Sequence, residues 1–191
     1  RAQASELELT GEVSARPEGH VRIHLGMALL KADRFDAAIR DAVMLGVSSL
    51  QPLMTDRSDV PAAAVSSGAR LARWERIAVA SAKQCGRAVV PSVREPVTLA
   101  ECLDRDRSPL RLLLAEPSVS GAERLAPGAP ALPDVTAALV LVGPEGGWSV
   151  RELDVARAAQ CRVVTLGPRT LRADAAPLVA LTVLQFLWGD L

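Results

Sequence analysis

Cysteine, histidine and lysine are all scarce in this chain of 191 residues, and each scarcity removes a class of function. Cys85, Cys102 and Cys161 are isolated and odd in number, and no CxxC occurs, so neither a zinc ribbon nor a disulfide framework is indicated. The two histidines, His20 and His24, stand four apart with no third ligand near in sequence, and no metal centre is expected. No apolar run reaches the ~18 residues of a membrane span, and no signal-peptide pattern is read in the sequence, so a soluble, cytoplasmic chain with no membrane partner is expected. Excess charge is also missing. Basic and acidic residues balance at 22 each, which argues against a generally cationic nucleic-acid binder but not against a local basic patch. All of the basic residues except Lys31 and Lys83 are arginine, a bias that fits either coding composition or phosphate binding.

What is abundant is apolar: 49% of the residues are hydrophobic, enough for one complete core. Strand and helix patterns alternate from Val21 onward. VRIHL reads as a strand, DRFDAAIRDAVML as an amphipathic helix from Asp33, and Val47 to Leu53 as a second strand. A strong helix pattern covers 70–87. The runs RLLLA (111–115) and AALVLV (137–142) suit buried parallel strands, and helix 149–159, strand 162–166 and a helix near 175–188 follow. Such alternation predicts an α/β layered fold with a mainly parallel sheet. The Pro/Gly-rich stretch EPSVSGAERLAPGAPALPD is too long for a simple connector.

The most informative junction is LVGPEGGWSV, 141–150. Ser149 and Glu152 have capping-box spacing, so the helix start is already satisfied by side chains. The five residues Gly143 to Gly147 therefore serve something else, a tight turn or a close backbone approach to a ligand. GPEGG fits neither GxGxxG nor GxxxxGK[ST]. A second junction repeats the design: a strand, Leu166-Gly167-Pro168, then Arg169, Arg172 and Asp174 before an apolar helix. Two such turns could build a pocket of backbone groups suited to a neutral or zwitterionic nucleoside.

LVGPEGGWS, followed by LGPRTLRADAA and an apolar helix ending WGDL, resembles the RsmE family of SPOUT-class methyltransferases. HLGMALLKADRFD, LGVSSLQPLMTDRS, WERIAVASAKQCGR and VPSV extend the likeness over about 21–191. The resemblance implies S-adenosylmethionine-dependent methylation of N3 of a uridine in 16S ribosomal RNA of the small subunit. It implies a SPOUT-type α/β sheet with a C-terminal deep trefoil knot, and a homodimer. It also implies that residues 1–20 are the remnant of an N-terminal PUA-like RNA-binding domain, with the SPOUT domain spanning 21–191. Three loops would hold the cofactor through Leu114 and Ala115; Gly143, Pro144, Glu145, Gly146 and Gly147; and Leu166, Gly167, Pro168 and Leu171. Where the family commonly has threonine-glutamate-threonine, this chain has Ala173, Asp174 and Ala175.

On a helical wheel Arg73, Arg76, Lys83 and Arg87 gather on one side of the 70–87 pattern, opposite Leu71, Trp74, Ala78, Ala82 and Cys85. Alone that is a solvated face as readily as an RNA surface. With Gln84-Cys85-Gly86-Arg87 matching the family, contact with the RNA backbone is expected there, with Arg34 and Arg57 as further candidates. Trp74 is read as core. For the chemistry, Arg172 is expected to donate to the uracil oxygens as N3 loses its proton, while Asp174 or Glu145 orients it or accepts that proton. A SPOUT enzyme with another RNA target, or a non-enzymatic RNA-binding or assembly module, are the competing readings.

Overall fold

In the computed structural model, residues 8, 10–12, 14, 17–31, 33–60, 68–125 and 132–188 are described. Most of the 1–20 segment, and part of the Pro/Gly-rich stretch, lies outside them.

Among the described residues, eight strands and five helices follow one another as β1 (Arg22–Ala28), α1 (Arg34–Met44), β2 (Ser49–Met54), α2 (Gly68–Cys85), β3 (Ser92–Val93), β4 (Val97–Thr98), α3 (Leu99–Arg105), β5 (Leu110–Leu114), β6 (Glu123–Arg124), β7 (Ala137–Val142), α4 (Val150–Ala158), β8 (Arg162–Thr165) and α5 (Ala176–Trp188). The strands form one sheet in the order β3-β2-β1-β7-β5-β8-β6, with β4 also against β2, and every pairing is parallel.

Apolar side chains leave each strand on alternate faces, so two cores form. Ile23, Leu25, Leu112 and Val140 point to one face, which α1, α2 and α5 cover with Ile39, Trp74, Ala78 and Leu181. Leu53, Leu113, Leu139 and Leu141 point to the other, where α3 and α4 supply Leu103, Leu153 and Ala156. Each fully buried leucine is worth about 1.5–3 kcal/mol relative to exposure. Trp74 is buried and its ring centroid lies 4.7 Å from that of Phe35, so it belongs to the core as its sequence position indicates.

The expected strands and helices are present with small shifts in their ends. Four further elements are not in the sequence reading: β3, β4, α3 and β6. The split between β3 and β4 follows from Pro52, which brings no N–H to the ladder. Beside it β3 pairs with Ser49 and Leu50, and β4 with Leu53 and Met54. The Gln51 side chain bridges the break by donating to Glu95 O at 2.6 Å and Pro52 O at 3.1 Å. β5 sits between β7 and β8, so the loops leaving these three strands emerge side by side at the carboxyl edge.

Candidate active site

A cavity of about 530 Å³ opens among those three loops. The first loop contributes Leu114, Ala115 and Glu116. Gly143, Pro144, Glu145, Gly147 and Trp148 come from the second, and Leu166, Arg169, Leu171, Arg172 and Asp174 from the third. Arg34, at the start of α1, and Arg57, in the loop after β2, complete the wall. Most of the residues expected around the cofactor are thus brought together. Gly146, Gly167 and Pro168 are not among the lining residues.

Of the two expected purposes of the glycine turn, the internal one has visible reasons. A Cβ at Gly143 would lie 3.0 Å from the Trp148 indole, whose Nε1 donates to Leu114 O at 2.8 Å. Trp148 thereby ties the second loop to the first. At Gly146 a Cβ would press on Arg57 at 3.0 Å, and the Arg57 guanidinium donates to Gly146 O at 3.2 Å. Gly167 differs from both. A Cβ there would meet nothing, and only its φ of +134° calls for glycine.

Below the turn the predicted capping box is present. Ser149 accepts from Glu152 N at 3.2 Å, and the Glu152 carboxylate accepts from Ser149 N at 2.9 Å. It does more than cap. Glu152 is only 5% exposed and also accepts from Asp56 N at 3.0 Å, while the Ser149 hydroxyl donates to Asp56 Oδ2 at 2.7 Å. The loop after β2 is clamped to the start of α4, and Arg57 is carried over the turn with it. Asp56 is a positioning residue that sequence reading alone does not single out, although it lies within the stretch LGVSSLQPLMTDRS.

Charged side chains at the rim come in pairs. Arg34 donates to Glu145 Oε1 at 3.2 Å. Arg172 grips Asp174 with both oxygens engaged, Nε to Oδ1 at 3.0 Å and Nη2 to Oδ2 at 2.5 Å. Hydrogen bonding from Arg172 holds the Asp174 carboxyl below the ordinary carboxylate range, and the same bond raises the guanidinium's own value. That makes Asp174 a poorer proton acceptor, so of its two expected roles the geometry favours orienting Arg172.

On α2, the helix expected to contact RNA, the picture divides, and Arg87 departs from the expectation. Arg76, Lys83 and Gln84 are exposed on α2, and Arg73 is ion-paired with the buried Asp36. Arg87 lies beyond the end of α2, and its side chain is 11% exposed. It donates to Val43 O at 2.8 Å and Val47 O at 3.1 Å, and pairs with Glu18. Its donors are spent on closing the end of α1, not offered to phosphate.

At the opposite edge, His24 Nδ1 lies 2.7 Å from Ser49 Oγ, and burial lowers its pKa. Burial pushes Cys102 and Cys161 up to about 11. Among the described residues no group of three or more histidine, cysteine or acidic side chains is placed to hold a metal.

The sequence family described as an RNA methyltransferase domain matches residues 17–185. The chain belongs to this family. A Synechocystis ribosomal RNA small subunit methyltransferase E is 32% identical over 98% of the chain, which covers 62% of that relative. For its counterpart from Buchnera aphidicola of Acyrthosiphon pisum the figures are 24%, 91% and 66%. The chain therefore spans just under two thirds of the length of these relatives. Among solved structures, a Neisseria gonorrhoeae ribosomal RNA small subunit methyltransferase E bound to S-adenosylmethionine is 36% identical, with a TM-score of 0.78, covering 90% of this chain and 68% of that one. A Legionella pneumophila protein solved with bound S-adenosylmethionine is 30% identical, with a TM-score of 0.79 and coverage of 88% and 67%.

Proposed function

We propose that this chain binds S-adenosylmethionine in the carboxyl-edge cavity and methylates N3 of a uridine in 16S ribosomal RNA of the small subunit. The observation that carries the reading is the convergence of three loops on one cavity whose rim holds the Arg172–Asp174 fork. The lining suits such a cofactor. Leu114, Val142, Trp148 and Leu166 offer an apolar wall for a purine, and charged groups stand at the rim for its zwitterionic end. Residues 114–119, 142–147 and 165–171 would hold it.

The cofactor supplies a methyl group already attached to a sulfonium leaving group, so activation by a metal is unnecessary. The chain's part is alignment and charge. Asp174 fixes the plane of Arg172, whose side chain is 75% exposed and keeps donors for the uracil O2 or O4 as N3 gives up its proton. Glu145 is left as the carboxylate that receives the proton or fixes Arg34 beside the base.

Arg34, Arg57, Arg73, Arg76, Lys83 and Gln84 are proposed to contact the RNA backbone. The strand order, with β8 between β5 and β6, supports the expected C-terminal knot. Leu178, Phe186 and Leu187 are exposed apolar side chains on α5, with Phe186 67% exposed, and support a homodimer. No described helix is long and apolar enough to cross a membrane, in keeping with a cytoplasmic setting.

The deciding experiment maps modified nucleosides in ribosomal RNA from cells lacking the protein, alongside calorimetric titration of the chain with S-adenosylmethionine. Loss of one N3-methyluridine from 16S ribosomal RNA and metal-independent binding are expected. Binding without any lost modification would favour another RNA target, and absence of binding would favour an RNA-binding or assembly module.

A further inference from the structure

Seven charged side chains line the cavity, and five have an oxygen or a guanidinium to answer them. Arg34 is matched with Glu145, Arg172 with Asp174, and Arg57 with Gly146 O. Among the described residues, Arg169 and Glu116 have no such partner. Arg169 is exposed, and water satisfies it cheaply. Glu116 is not in that position. It is partly buried in the wall, one residue past Ala115 and beside the carbonyl that holds Trp148.

Its placement is fixed by the backbone on both sides. Val119 N donates to Glu116 O at 3.0 Å, closing a turn that holds the loop against the cavity. Opposite, Gly147 adopts φ +68°, and a Cβ there would fall 3.1 Å from Glu116 Oε1. The last glycine of GPEGG thus leaves room for this carboxylate. A half-desolvated carboxylate with no donor is costly, and a ligand that brings donors recovers that cost on binding.

We propose that Glu116 recognises hydrogen-bond donors of the bound cofactor, its ribose hydroxyls or its α-ammonium. This inference rests on the cofactor assignment above. Both donor groups suit a carboxylate that can accept two bonds at once. No other lining carboxylate is free to do so, because the other two are occupied by arginines.

Calorimetric titration of the full chain tests it, with S-adenosylhomocysteine and with 5′-methylthioadenosine, which keeps the ribose but lacks the amino-acid end. Glu116→Gln should weaken S-adenosylhomocysteine binding by about 10- to 100-fold, as expected for loss of a charged hydrogen bond. Glu116→Asp should lose less, since it keeps the charge with a shorter reach. An equal loss for 5′-methylthioadenosine assigns the ribose, and a loss confined to S-adenosylhomocysteine assigns the ammonium. Circular dichroism and the urea midpoint of each variant should match the parent. If Glu116→Gln binds both ligands within about twofold of the parent, within the scatter of a surface site, the inference is overturned. If the parent chain binds neither ligand, the cofactor assignment itself fails and takes this inference with it.

Discussion

Two helices in this protein begin with the same device, and only one of them is near the cavity. α3 opens on Thr98 and Glu101, α4 on Ser149 and Glu152, and both capping boxes are complete. Locally they are interchangeable. Glu101 stands at the surface and answers only Thr98 and, weakly, Arg105. Glu152 is buried, and the backbone N–H of Asp56 depends on it. The difference shows that four residues suffice to start a helix. Making that start part of a site takes a carboxylate shared with a loop far away in sequence.

The largest expected effect follows from removing the shared carboxylate. Glu152→Ala should lower stability by about 2–4 kcal/mol, combining a lost cap with buried N–H groups left without an acceptor. Urea titration measures it. A loss no larger than that of Glu101→Ala would erase the contrast between the two boxes.

Crowding the turn next to the buried box comes second. Gly143→Ala should cost about 1–3 kcal/mol, because the indole of Trp148 has to move and its bond to Leu114 O is strained. Cofactor affinity should fall with it. An unchanged denaturation curve would mean that the turn yields freely.

Arg87 extends the same distinction to the basic residues. Arg87→Ala should destabilise the fold by about 1–3 kcal/mol, because Val47 O loses its donor, Val43 O keeps only Gly46 N, and Glu18 loses its ion-pair partner. Arg76→Ala should leave stability unchanged and weaken RNA binding with a shallower salt dependence. The reverse result, with RNA binding hurt by Arg87→Ala alone at full stability, would restore Arg87 to the RNA surface.

Acid titration gives a smaller effect. The Asp174 carboxyl is depressed in the folded state, first by hydrogen bonding from Arg172. Its contribution is therefore fully present above the unfolded aspartate value near 3.9 and is lost as pH falls through the lower folded value. Asp174→Asn should flatten the acid limb of a stability-versus-pH curve and leave the curve near neutrality unchanged in slope. Glu101, depressed by its bonds to Thr98, titrates in the same sense. Glu101→Ala should be the least of all, at the edge of detection in the same assay.

These contrasts also mark how far the sequence could be read. The α/β class, the helices around Asp33 and after Ser149, and the buried strands Leu110–Leu114 and Ala137–Val142 were legible because their apolar spacing is a local property. α3 was equally signalled by Thr98-Leu-Ala-Glu101, the same spacing noticed at Ser149, but the segment between 88 and 110 lacks a strong apolar run to draw attention to it. The three cavity loops were named by resemblance. What could not be read was which residue faces which. Asp56 lies inside a stretch matched by resemblance and Glu116 at the start of a Pro/Gly-rich one, but neither stretch tells what its carboxylate meets, and Arg87 looks like one more basic residue until α1 is seen to end against it.

The position of β8 also governs when the cavity comes into being. β1 and β2 are joined through a single helix and can pair as soon as that helix forms, with little chain entropy to overcome. β8 has to enter between β5 and β6, and only then do residues 165–171 face the other two loops. Pairing between such distant segments is slow. In refolding, binding competence should therefore appear after most of the helical signal has returned. Ligand added early would have nothing complete to grip, and could secure the chain only at the final step.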